Sequence, residues 1–370
     1  MTSTSNVARS SGWRVQRLPT IDGRRRAIAY AIAFVLWLAL VGGGLSLASF
    51  AVRDIVLRAI SVTLGSSYGI QQTLTLAAPL LLTGLAVAVA MRIRVWNIGA
   101  DGQFYMGAWA AAGVGLFLPE GPTWLMLTLM AIAAGLSGAL WILIPAIGRA
   151  YLGISEIITT LLLTFVASFL VYYLASGPWR DPEVPTQAAT ARIIYELPAL
   201  NDGAHLGIPI SMLLVIGFGI FFNYSKWGYE ITIAGANHDA AEYAGIPVRR
   251  RILQAMLISG MLAGLAGMIE LTGVVYRLQG GMSNQYGALG IPIAAVASGS
   301  ISGVAAAAGF FAILLNMGVS LQTQGLSVHS VLAITGLLLF LVAAAEAAAR
   351  FSICRMSASL AKIPASGASI

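Results

Sequence analysis

The chain has 370 residues, of which 58% are hydrophobic and 9% charged, with a mean hydropathy of +0.84 and a formal net charge of +7. A water-soluble protein carries roughly 25% charged residues, so these charges cannot cover the surface, and the remainder must face lipid. The positive balance does not mark a nucleic-acid groove either. The cations gather before the first apolar run and in short loops, without the aromatic interleaving such a groove needs.

Arg9, Arg14, Arg17, Arg24, Arg25 and Arg26 precede an apolar run at 27–50. That run exceeds the roughly 7–15 residues of a signal-peptide core, which predicts a retained first helix. Residues 51–69 mix Arg53, Asp54 and Arg58 with apolar side chains and predict an interfacial helix on the outer surface. Further spans are predicted at 70–91, 103–118, 123–147, 154–175, 208–223, 252–276, 286–298, 304–320 and 331–349. The expected fold is all-α and polytopic, with about ten transmembrane helices; 103–118 and 286–298 are short or broken.

Ten spans put both termini on one side. With the N-terminus cytoplasmic, sixteen of the 21 lysines and arginines lie inside and five, Arg53, Arg58, Arg180, Arg192 and Arg277, lie outside. The expected organisation is therefore a cytoplasmic tail 1–26, a transmembrane domain 27–349 and a cytoplasmic tail 350–370. Two connections are long. The external loop 176–207 carries Pro178, Pro182, Pro185 and Pro198 with Asp181, Glu183, Glu196 and Asp202, and the cytoplasmic loop 224–251 reads as partly helical. Gly260, Gly264 and Gly267 share one helix face, and Gly299 and Gly303 repeat the four-residue step, which lets helices approach closely in lipid.

The chemistry-bearing inventory is sparse. The single cysteine, Cys354, excludes an intramolecular disulfide and reads as a plain thiol or a lipidation site. His205, His238 and His329 fall in three loops without metal-ligand spacing, so no metal or cofactor is expected. A P-loop needs a lysine followed by Ser or Thr, but Lys226 and Lys362 precede Trp227 and Ile363. No nucleophile elbow or zinc motif occurs, and no enzymatic activity is expected of this chain.

Within 235–247, Asn237 or Asp239 can cap a short helix that Gly245 ends before Pro247. Such a helix suits docking onto a partner, and equally a solvated connector. This segment resembles the coupling loop of ATP-binding-cassette (ABC) importer permeases, in the branch handling simple sugars, nucleosides and branched-chain amino acids. Trp96-Asn97-Ile98-Gly99-Ala100-Asp101-Gly102-Gln103 resembles the Asn-Ile-Gly-x-Glu-Gly-Gln signature of the sugar and nucleoside members, with Asp101 in place of Glu. Ile154-Ser155-Glu156-Ile157-Ile158-Thr159-Thr160 resembles their Asn-Glu-Ile-Ile-x-Thr stretch, with Ser155 in place of Asn. Tyr286-Gly287-Ala288-Leu289-Gly290-Ile291-Pro292-Ile293-Ala294 resembles a third, with Pro292 at an alanine position. The likeness covers roughly 70–345.

It implies a permease for nucleosides or simple sugars in a bacterial plasma membrane, with branched-chain amino acids as the nearer alternative. It also implies a cytoplasmic ATPase pair, a second permease and an extracytoplasmic binding protein as partners, with coupling through Asn237, Asp239, Ala241, Glu242, Tyr243 and Gly245. Broken spans in a transporter commonly border the path. Asn97, Asp101 and Gln103 lead into the first short span, and Asn284, Gln285 and Tyr286 into the second. Asp101, Glu156 and Glu270 are carboxylates at membrane depth, which usually face protein or water. Asp101 and Glu156 read either as pathway groups or as caps and ion-pair partners of Arg94 or Arg149. An ion-coupled secondary transporter would use such carboxylates directly.

Overall fold

A computed structural model describes residues 13–17, 23–47, 51–183, 187–201, 203–297 and 300–355; Arg9, Pro185, Asp202, Gly299 and Lys362 lie outside them. Among these residues thirteen α-helices run in chain order: α1 Gly23–Leu47, α2 Val52–Leu64, α3 Ser67–Arg92, α4 Ala100–Phe117, α5 Thr123–Leu152, α6 Glu156–Ser176, α7 Gly207–Tyr224, α8 Lys226–Ala236, α9 His238–Tyr243, α10 Val248–Glu270, α11 Tyr286–Ala297, α12 Ile301–Thr323 and α13 Val328–Arg350. A π-helical turn, Leu271–Val275, extends α10. Among the described residues, eight helices are long and apolar enough to cross a membrane. The two remaining expected spans are α4, 18 residues, and α11, 12 residues. The chain is an all-α, multi-pass membrane protein, and the short mixed helix expected at 51–69 is α2.

The described residues form two compact units, one within 51–335 and one made of the terminal stretches within 13–47 and 336–355. In the terminal unit, Glu346 accepts from Tyr30 at 2.9 Å and is bridged by Arg26 at 3.3 Å and Arg350 at 2.9 Å. Strand β1, Trp13–Arg17, pairs antiparallel with β4, Phe351–Arg355, a ribbon within what reads in the sequence as two tails.

The larger unit is organised around α3 and α10. Their most apolar windows are 83% and 67% buried, against 17% for α6. Glycines let α10 approach so closely. A Cβ on Gly260 would stand 2.5 Å from the Gly138 carbonyl, on Gly264 2.3 Å from that of Ala134, and on Gly267 2.0 Å from that of Phe104. The face predicted by the four-residue spacing is therefore the seam against α5 and α4. Pro79 sits inside α3, where it offers no N–H to the Thr75 carbonyl one turn earlier; Thr83 Oγ1 donates to the Pro79 carbonyl at 2.9 Å.

Between α6 and α7 the long loop is stitched to the stretch after α10. Thr190 N donates to the Leu278 carbonyl at 3.1 Å, Ile193 N to Tyr276 at 2.9 Å, and Leu197 N to Thr272 at 2.9 Å. The loop ends in a hairpin, β2 Ala199–Asn201 with β3 Ala204–His205.

Candidate functional site

Two interruptions bring the predicted site residues together. The first, 93–99, separates α3 from α4, and Arg94 turns it with a φ of 57°. Asn97 is fully buried there, and its amide is saturated. Its Nδ2 donates to Gln103 Oε1 at 2.7 Å and to Ser259 Oγ at 2.8 Å, while its Oδ1 accepts from Gln103 Nε2 at 2.8 Å and Gly99 N at 3.2 Å. Ser259 passes the connection on, donating to the Ala86 carbonyl at 2.6 Å. This knot fastens α3, α4 and α10. Asn97 and Gln103, expected to face the path, spend their hydrogen bonds inside the protein.

Glu156 closes the same break from the α6 side. It accepts from Trp96 N at 3.2 Å and pairs with Arg149 Nε at 3.3 Å. Of the two readings open in the sequence, the structure displays the ion pair with Arg149.

The second interruption, 271–285, is built differently. The π-helical turn ends at Tyr276 with φ 59°, and Asn284 and Gln285 adopt φ 43° and 61°. Left-handed backbone at non-glycine residues costs of order 1 kcal/mol or more each. Asn284 and Gln285 are exposed, whereas Tyr286 is buried with its ring 6.1 Å from that of Phe104. A cavity of about 360 Å³ lies beside this break, lined by Phe169, Tyr172, Gly280 and Gly281. A second, of about 430 Å³, lies between α7 and α12, away from the predicted residues.

Asp101 joins the two breaks. Its Oδ1 accepts from Gly287 N, in the first turn of α11, at 3.0 Å. Its Oδ2 accepts from Ser283 Oγ at 3.1 Å, and that hydroxyl lies 3.2 Å from the Tyr105 hydroxyl. A Cβ on Gly287 would stand 2.1 Å from Asp101 N, so only glycine lets the starts of α4 and α11 meet. One carboxylate thus sits between the positive ends of two helices.

At the far end of α10, α8 and α9 form a compact bracket. Ser225 caps α8 and Asn237 caps α9, its Oδ1 accepting from Ala240 N at 3.2 Å; Gly245, φ 78°, ends the bracket. Glu230 pairs with Arg251, and Trp227 Nε1 and Arg251 Nη1 both donate to Gln254 Oε1, at 2.9 and 2.7 Å. A Cβ on Gly235 would stand 2.0 Å from the Arg92 carbonyl, so α8 also abuts the end of α3. Asn237, Asp239, Glu242, Tyr243 and Gly245 are exposed, Tyr243 at 95%. Ala241, expected on the docking face, is fully buried and forms the underside of α9.

Sequence reasoning missed Ser259, Ser283, Tyr105 and the Glu230–Arg251 pair. Only the last left a signal: one acid in an apolar stretch, followed by the triplet Arg249, Arg250 and Arg251.

Residues 69–343 match the family described as branched-chain amino acid transport system / permease component. The chain is 34% identical over 306 residues to a glucose ABC transporter permease protein of Haloferax volcanii, covering 75% of this chain and 79% of that protein. It is 35% identical over 251 residues to a guanosine ABC transporter permease protein of Bacillus subtilis (66% and 72% covered). It is 30% identical over 292 residues to a nucleoside ABC transporter permease protein of Lactococcus lactis (76% and 80% covered). With its buried α3–α10 core, two broken spans and this match over most of its length, the chain belongs to that permease family and is a multi-pass plasma-membrane permease subunit of an ABC transporter.

Proposed function

We propose that the chain carries a neutral, hydroxyl-bearing solute inward, a nucleoside or a simple sugar, along a path bordered by the second break. The observation that carries this is Asp101. In broken-helix transporters, helix N-termini facing the path bind anionic substrate groups. Here the protein's own carboxylate occupies that position, accepting from Gly287 N at 3.0 Å. An amino acid's carboxylate would meet a like charge there, so branched-chain amino acids fit poorly. The relatives named for glucose, guanosine and nucleosides support the same class.

Drive comes from a cytoplasmic ATPase pair docking on the exposed Asn237, Asp239, Glu242 and Tyr243, with a second permease completing the membrane unit. Both termini lie on the cytoplasmic side in this reading, which the cation asymmetry supports. The bracket is tied to the first turns of α10 by Arg251 and Gln254, and the long loop to the turn at α10's other end. A movement of α8–α9 therefore reaches the second break along α10. An extracytoplasmic binding protein would deliver solute to the long loop, where Arg277 Nη1 donates to Asp181 Oδ2 at 2.7 Å.

The test is uptake by cells carrying the chain with its partner subunits. Guanosine or glucose should enter, survive an uncoupler and stop on ATP depletion, while leucine should not enter. Leucine uptake would favour the amino-acid reading, and loss of uptake with the uncoupler would favour an ion-coupled carrier.

A further inference from the structure

The cavity of about 430 Å³ between α7 and α12 lies apart from both breaks, and its walls change character along their length. Over one stretch they are apolar, with Met212, Val215, Ile216 and Ile220 from α7 and Ile301 and Ala305 from α12. Where α7 ends they are polar: Asn223, Tyr224, Ser300 and Ser302 accompany Arg92, the last residue of α3. Met212 to Tyr224 spans about 18 Å of helix at 1.5 Å per residue. The apolar stretch therefore reaches well into the hydrocarbon layer, while the polar end stands at its edge. Ile216 and Ile220 are 51% and 57% exposed, so the stretch is open rather than sealed inside the protein.

Arg92 is held at this polar end from two sides. Its guanidinium lies 4.6 Å from the centroid of the buried Phe222 ring, and its carbonyl is the group that α8 abuts at Gly235. Among the described residues lining the cavity Arg92 carries the only charge, and that charge is positive. An apolar slot at membrane depth, ending in a guanidinium, an amide and hydroxyls at the membrane edge, matches an acyl chain joined to an anionic headgroup. Arginine pairs with phosphate through charge-assisted hydrogen bonds, and basic pockets between transmembrane helices take anionic lipid headgroups. A neutral hydroxylated solute would leave both the apolar stretch and the cation unused.

We infer that this cavity binds one anionic phospholipid of the leaflet at which α3 and α7 end. An acyl chain lies along Met212, Ile216 and Ile220, and Arg92 meets the phosphate with Asn223, Ser300 and Ser302 beside it. Such a lipid ties the ends of α3, α7 and α12 together next to the α8–α9 bracket.

The test uses the full chain with its partner subunits in a neutral detergent, titrated with dioleoylphosphatidylglycerol, dioleoylphosphatidylcholine or glycerol 3-phosphate. Native mass spectrometry counts bound ligand, and the melting temperature is read alongside. Phosphatidylglycerol should bind and raise the melting temperature, whereas phosphatidylcholine at the same mole fraction and glycerol 3-phosphate should do neither. Arg92→Gln should weaken phosphatidylglycerol binding about fivefold, equivalent to the roughly 1 kcal/mol that one basic residue contributes near an anionic surface, and Arg92→Lys should retain it. Ala305→Phe, which fills the apolar stretch, should abolish both the binding and the melting shift. An equal response to the two lipids, or undiminished phosphatidylglycerol binding in either Arg92→Gln or Ala305→Phe, overturns the proposal. So does an equal response to glycerol 3-phosphate, which makes the cavity a site for a free anion. Loss of the second permease from the Ala305→Phe complex also overturns it, because the face is then a subunit interface. Where a variant melts too low to titrate, the comparison of the three ligands on the wild type decides.

Discussion

The two breaks begin from similar sequence, a polar, glycine-containing lead into a short apolar helix, yet they are finished in opposite ways. Around Asn97 every amide group is hydrogen-bonded to protein and the position is sealed. Around Tyr286 the backbone holds three non-glycine residues at positive φ, and two side chains are exposed. A saturated buried network specifies one arrangement. Backbone held at positive φ persists where the surrounding structure over-determines it, and such positions cluster at functional sites. The difference teaches that a broken span need not be a gate. The first break fastens α3, α4 and α10 together, whereas the second holds its backbone at positive φ with exposed side chains.

The sharpest way to break this contrast is to treat both asparagines alike. Asn97→Ala orphans Gln103 and Ser259 in a sealed site, so we expect a loss of about 3 kcal/mol or more, read as a lower melting temperature and poor membrane abundance. Asn284→Ala, at an exposed position whose positive φ alanine tolerates less readily than asparagine, should cost only about 1 kcal/mol while lowering uptake. Equal destabilisation by the two would erase the distinction between anchor and gate.

Next in size is Gly287→Ala. The added methyl meets the Asp101 backbone at 2.1 Å, where no flexible side chain can yield, so the starts of α4 and α11 must part. Overpacking of this kind costs about 1–3 kcal/mol. Uptake should fall to near background even where the protein still reaches the membrane. Normal uptake would show that the Asp101–Gly287 contact is dispensable.

Much of this architecture was legible in the sequence, for a physical reason. Backbone groups in lipid must be satisfied within helices, so long apolar runs declare themselves, and the ten expected spans correspond to α1, α3–α7 and α10–α13. Asp101 was singled out because a charge between Gly99 and Gly102 is conspicuous in apolar surroundings. Its partners were not legible, because Ser283 lies 182 residues away and Ser259 lies 162 residues from Asn97. A serine inside a transmembrane helix commonly bonds its own preceding turn, and nothing local distinguishes one that reaches across. Ala241 fails similarly: a six-residue helix has too little periodicity to tell its outer face from its underside.

A smaller effect comes from Asp101→Asn. The amide keeps an acceptor for Gly287 N but brings an N–H₂ toward Ser283, which must reverse its hydroxyl. The charge between two helix N-termini is lost as well. We expect uptake to drop by about tenfold, equivalent to roughly 1.4 kcal/mol, while Asp101→Glu retains most activity. An unchanged Asn variant would mean that geometry alone, without charge, holds the two helices together.

The smallest effect should appear at His205, and it bears on the gate alone. His205 Nδ1 accepts from Gly207 N at 3.1 Å, while its Nε2 is buried without a partner. The ring lies against the π-helical turn, where a Cβ on Gly273 would stand 2.7 Å from its Cε1. Burial holds its pKa below the ordinary value near 6.5, so the folded protein keeps the ring neutral. Protonation would put hydrogen on Nδ1, facing the Gly207 N–H it now accepts from. As pH falls below about 6.5 the unfolded chain takes up the proton first, so this contribution to stability is present above that value and declines below it, levelling off under the depressed folded pKa. His205→Gln should remove the dependence, giving a flatter melting profile between about pH 7.5 and 5 than the wild type. Amide exchange, normalised to intrinsic rates, should rise on acidification in the wild type at 271–276 and stay level at 96–99. A matching rise at 96–99 would show that the two breaks loosen together, and the anchor would then be no more fixed than the gate.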